Sequence, residues 1–122
     1  MTMLNQDTIT SLAHQLYEAR KSRTQLRHFS KQYPEMTIED GYAIQREWVK
    51  LELADGRTIK GRKIGLTSRA MQLSSQITEP DYAPLMDDMF FETGTDIPIS
   101  KFIAPEEESA IRLALNLGVY NK

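Results

Sequence analysis

The stretch "GRKIGLTS", residues 61–68, gathers residue types that bind anions: Arg62 and Lys63, followed by the hydroxyls of Thr67 and Ser68. Two glycines bracket the apolar part of the run, and glycine in a strand marks a bulge or a close approach to the backbone. A strand that turns through glycine into a helix N-terminus leaves N–H groups pointing outward, so this corner suits a carboxylate or a phosphate. The run is not a P-loop, because the ordered Gly-Lys-Ser/Thr ending is missing. Read from residue types alone, a buried strand carrying two solvated cations is the favoured reading. The second acidic or basic cluster is "PEEES". Hard divalent cations need carboxylate oxygens from several directions, and three consecutive glutamates on a helix point apart. Pro105 followed by Glu106, Glu107 and Glu108 reads instead as the start of a helix over "PEEESAIRLALNLG", stopped by Gly118.

The elements that must position these residues follow from periodicity. Ile9, Leu12, Ala13 and Leu16 recur at helical spacing, with Asp7 as the expected N-cap and Gln15, Glu18 and Lys21 on the solvated side. His14 stands alone, without a partner at ligand spacing. "HFSKQYPEMT" reads as a connector. A second helix starts at Thr37, whose spacing to Asp40 makes a capping box. It carries Tyr42, Ile44, Trp48, Val49, Leu51 and Leu53, and ends at Gly56. The best strand is residues 59–66. If it is regular, Ile59, Gly61, Lys63 and Gly65 share one face and Lys60, Arg62, Ile64 and Leu66 the other. A short helix capped by Thr67 or Ser68 follows. "EPDYAPLMDDMFFETGTDIP" reads mostly as loop from its prolines and glycine, and "DIPISKFI" as an edge strand.

Composition narrows the class. A chain of 122 residues is one domain. With 40% hydrophobic and 26% charged residues and a net charge of −2, it is neither disordered nor a basic nucleic-acid binder. No cysteine is present, which excludes disulfides and thiolate metal sites. The first residues lack a basic-then-apolar leader and no run reaches membrane-spanning length, so the expected location is the cytoplasm and no membrane partner is expected.

Taken together, "LADGRTIKGRKIGLTSRAMQ", "EPDYAPLMDDMFF" and "YPEMTIEDGYAIQREWV" resemble the N-terminal part of the 2-keto-4-pentenoate hydratase group of the fumarylacetoacetate hydrolase superfamily. The resemblance runs from the first helix to Pro105. It implies an α/β (α+β) fold: an N-terminal helical segment and short strands, with most of the β-rich core of such enzymes missing. It implies addition of water to a 2-oxo-alkenoate of the 2-oxoheptenedioate type, in the catabolism of aromatic compounds such as 4-hydroxyphenylacetate. Lys63 matches the lysine that binds or activates the 2-oxo acid, and Asp81 matches a pocket acid. Mg²⁺ or Mn²⁺, chelated by the substrate, is the implied cofactor. Implied partners are the small 2-oxo acid and further subunits, of the same chain or of the family.

The chain departs from the group after Pro105. The group continues with Pro-x-x-Glu-x-Glu, whose glutamates bind metal. Glu108 falls on the first of these, but Ala110 occupies the second position. Residues 1–105 are therefore expected to be hydratase-like and residues 106–122 a helical tail foreign to the group. Two function classes follow: a hydratase, with 2-oxo-acid decarboxylation as the neighbouring chemistry, or a non-catalytic remnant or interaction module. With one matching metal ligand, the chain alone is expected to be inactive.

Overall fold

The structure is a computed structural model and describes residues 2–103. The expected tail helix, Pro105 and Glu108 lie outside the described residues.

Helix α1 spans Gln6–Ser22. Its N-cap is Asn5, two residues earlier than the expected Asp7. The Asn5 side chain accepts a hydrogen bond from the Thr8 amide at 2.8 Å, and Asp7 sits in the first turn, where its charge complements the helix dipole. Ile9, Leu12 and Ala13 are buried as their spacing requires, whereas Leu16 lies on the rim. A short helix α2, Phe29–Gln32, interrupts the segment expected to be a plain connector. Burial decides this: Phe29, Tyr33 and Met36 all pack on the core, which local composition does not reveal.

Helix α3, Ile38–Ala54, opens with the expected capping box between Thr37 and Asp40. It lays Ala43 and Ile44 against Leu4, Ile9, Leu12 and Ala13 of the first segment, with Trp48 and Leu51 at the margin. Leu53, expected to be apolar contact surface, is exposed instead. The helix ends at Asp55, followed by Gly56 at φ +90°, where a side chain would be strained.

Strand β1, Ile59–Gly65, pairs antiparallel with β2, Asp81–Met86, in a two-stranded sheet. Between them lies α4, Arg69–Ser75. The presence of β2 corrects the reading of residues 79–98 as mostly loop. Pro84 had argued against a strand, but it pairs with Arg62, and in a two-stranded ladder each strand keeps one open edge where a missing N–H is tolerated. The expected edge strand over "DIPISKFI" does not form: Ile99–Lys101 is a single 3₁₀ turn after Pro98. The mixed α+β class expected from the sequence is the one observed.

Strand β2 meets α3, and Met86 at its end is fully buried. Tyr82 stacks on Tyr42 with ring centroids 4.5 Å apart, and Gln45 Nε2 donates to the Tyr82 carbonyl at 3.3 Å. A charge network reinforces the joint. Glu52, at 1% exposure, accepts from Arg20 at 2.9 Å and from Arg57 at 2.6 Å. Asp88, just past β2, accepts from the same two arginines at 2.7 and 3.1 Å. Burial disfavours the Arg20 cation, but Asp88 and then Glu52 outweigh that cost, so its pKa stands above the ordinary arginine value.

Candidate active site

The ladder register decides which candidate residues meet. Lys63 pairs with Ala83 and Gly65 with Asp81. Side chains alternate across a strand, so Lys63 and Asp81 lie on one face as diagonal neighbours. Such neighbours are about 7–8 Å apart, within reach of a lysine side chain. Their surroundings on that face are Gly61, Gly65 and Ala83, which leave it nearly bare of side chains. Leu85 and the Phe90 ring close one end, and Lys60 Nζ lies 4.9 Å from the centre of that ring.

Arg62 pairs with Pro84 and points to the opposite face together with Ile64 and Tyr82. The structure thus separates Arg62 from Lys63, as strand alternation requires. The expected facing of Ile59 does not hold. Ile59 pairs with Met86 while Gly61 pairs with Leu85, so Lys60 is an extra residue in the strand. This bulge turns Ile59 onto the side of Met86, away from Gly61.

Past β1 the chain turns sharply at Leu66, whose φ is +51°, with its carbonyl held by Gln72 Nε2 at 2.9 Å. The left-handed residue is therefore a leucine, and the flanking Gly65 is not needed for the turn. Ser68 is the cap of α4, its hydroxyl accepting from the Met71 amide at 3.2 Å. Thr67 is exposed at the corner.

Asp81 Oδ1 is shielded from solvent and has no hydrogen-bond partner among the described residues. A shielded, unpartnered carboxylate oxygen is an expensive arrangement in a structure that gains nothing from it. Among the described residues no group of three His, Cys, Asp or Glu side chains could hold a metal ion. One carboxylate does not satisfy a hard divalent cation, so Asp81 and its neighbours do not by themselves fit Mg²⁺ or Mn²⁺. Glu108, the other expected ligand, lies outside the described residues.

Two features of the site had no signal in the sequence. The contact of Gly65 with Asp81 depends on the pairing of two strands, one of which reads as loop in the sequence. The arginine–carboxylate network that holds the hairpin joins residues far apart in the chain.

No family model matches the chain. It is 57% identical over 113 residues to 2-oxo-hept-4-ene-1,7-dioate hydratase of Escherichia coli, covering 93% of this chain and 42% of that protein. It is 37% identical over 103 residues to 2-keto-4-pentenoate hydratase of Paraburkholderia xenovorans, covering 84% of this chain and 38% of that protein. Among solved structures, 4-oxalocrotonate decarboxylase from Pseudomonas putida G7, complexed with magnesium and adipate, superposes with a TM-score of 0.70 at 29% identity. That match covers 73% of this chain and 34% of the decarboxylase. The chain spans about four-tenths of the length of the curated relatives it matches. No helix among the described residues is long and apolar enough to cross a membrane. Sequence identity and fold agree: over the stretch it spans, this chain is similar to hydratases of 2-oxo-hept-4-ene-1,7-dioate and 2-keto-4-pentenoate and shares its fold with 4-oxalocrotonate decarboxylase.

Proposed function

We propose that the Lys63–Asp81 face is one wall of a hydratase site for a 2-oxo-alkenoate of the 2-oxoheptenedioate type, used in the cytoplasmic breakdown of aromatic compounds. The observation that carries this reading is the placement of a cation and an acid side by side on a hairpin face otherwise lined by glycine and alanine. The Lys63 ammonium pairs with the substrate's carboxylate or oxo oxygen and steadies negative charge there. Asp81 takes a proton from the attacking water and returns it to carbon, so that hydroxyl and hydrogen end on the two carbons of the double bond. Thr67 stands at the corner beyond Lys63 as a further hydrogen-bonding group, with Ser68 shaping that corner as the helix cap. Arg62, on the other face, has no place in this wall.

The decarboxylases that resemble this chain were complexed with magnesium and adipate or with calcium and acetate. Here a divalent ion would require carboxylates beyond the described residues, Glu108 among them, and no step is assigned to it. The chain by itself should therefore bind a 2-oxo acid weakly without turning it over. An exposed ion pair contributes about 1 kcal/mol or less, against ~8 kcal/mol or more of barrier lowering in a modest enzyme.

The test is a titration of the chain with a 2-oxo dicarboxylate, followed by amide NMR shifts. Shifts centred on Lys63, Gly65 and Asp81 that vanish in Lys63→Ala support the wall. Shifts elsewhere, or none, overturn it. A second reading, a non-catalytic remnant or interaction module, is favoured by the absence of a three-residue metal cluster among the described residues. Metal-dependent loss of dienol absorbance that disappears in Lys63→Ala would reject it, and release of CO₂ would shift the chemistry to decarboxylation.

A further inference from the structure

We propose that Gly65 is a positioning residue for Asp81: the missing side chain at 65 is what allows the Asp81 carboxylate to lie back over β1 with Oδ1 withheld from water. The proposal rests on the reading of Asp81 as the acid of the site, but its test does not require turnover.

Gly65 and Asp81 are direct partners in the ladder. A Cβ at position 65 would overlap Asp81 Oδ1, and would stand 3.4 Å from Cγ and 3.8 Å from Oδ2. The backbone does not explain the glycine. Gly56 and Gly94 have φ of +90° and +86°, values that favour glycine, whereas Gly65 is not among the positive-φ residues. What a side chain at 65 would meet is the end of a short, rotatable carboxylate, not backbone. Alanine therefore fits by turning that carboxylate away, with the ladder intact. The same Oδ1 has no hydrogen-bond partner among the described residues, so none of them holds it in place against such a rotation. The space over Gly65 keeps an acid oxygen shielded and unspent beside Lys63, ready for a donor that arrives with substrate or water.

The experiment compares Gly65→Ala, Asp81→Ala and the double variant with the parent chain. Three-bond NMR couplings report the Asp81 χ1 rotamer, and thermal unfolding reports the coupling between the two positions. Gly65→Ala should melt within about 4 °C of the parent while Asp81 moves to a different χ1 rotamer. In the Asp81→Ala background the same glycine substitution should be neutral or raise Tm, because the obstacle is gone and alanine suits a strand better than glycine. An unchanged Asp81 rotamer in Gly65→Ala, or equal Tm effects in the two backgrounds, overturns the proposal. If Gly65→Ala fails to fold, recovery in the double variant supports it and failure of both overturns it. A face that binds no 2-oxo acid would sink the proposed function and leave these outcomes unaltered.

Discussion

Arg20 of α1 donates to Glu52 of α3 at 2.9 Å, and Glu52 has almost no solvent exposure. A carboxylate this deep persists because a second arginine, Arg57, reaches its other oxygen at 2.6 Å. Arg20→Ala removes one of these two partners and one of the two arginines on Asp88. The expected loss is about 2 kcal/mol, less than the ~3–5 kcal/mol of a buried charge stripped of its whole partner. A urea midpoint lowered at constant slope checks it. Arg20→Lys should recover only part, since an ammonium cannot fork to both Glu52 and Asp88.

Asp40 makes stability depend on acid. Burial alone would raise its pKa, but hydrogen bonds from the Thr37 amide, the Leu4 amide, the Thr37 hydroxyl and the Met3 amide outweigh burial and hold it below the ordinary carboxylate value. A folded pKa below the unfolded one means the stabilisation is fully present above about pH 3.9, the unfolded value. It is lost as pH falls through the lower folded value. Thermal melts from pH 7 down to pH 2 should show this loss below pH ~4, and Asp40→Asn should lower Tm at neutral pH and flatten the acid limb. An acid limb of equal steepness in the variant would assign it to other carboxylates.

Met86, the last residue of β2, has no exposed surface. Met86→Ala should cost about 2–5 kcal/mol through lost contact and a residual cavity. Equilibrium unfolding measures the loss. A cost below about 1 kcal/mol would mean that the hairpin is held by the arginine network and not by packing.

Magnesium should leave the chain's melting temperature unchanged. The described residues place one acid, Asp81, at the candidate site and no three-residue metal cluster anywhere. Binding at 100 times Kd would stabilise by about 2.7 kcal/mol. A rise of several degrees on adding Mg²⁺, measured by calorimetry, would show that residues beyond the described ones complete a site.

The elements that the sequence by itself determined are those whose causes lie within a few residues. The Thr37–Asp40 capping box, the stop at Gly56 and the helical spacing of Ile9, Leu12 and Ala13 are local, and each is found as read; of the two caps that the sequence offers for α4, Thr67 or Ser68, the structure takes Ser68. The similarity carried by "GRKIGLTS" and "EPDYA" was equally legible, since it is a property of residue order. Strand β2 was not legible, because Pro84 speaks against a strand until a partner supplies the ladder and leaves the other edge open. Nor was the facing of Ile59, which depends on one extra residue at Lys60. Arg20, Glu52, Arg57 and Asp88 are unremarkable charges in sequence, and they become a network only when two helices and a hairpin close around them. The same holds for the candidate site. Residue types named Arg62 and Lys63 as candidates and the resemblance added Asp81; strand pairing put Lys63 and Asp81 on one face, turned Arg62 away and set the Asp81 carboxylate over Gly65. Pairing between segments distant in the chain is a tertiary fact, because its free energy comes from burial and ladder bonds that neither segment has alone.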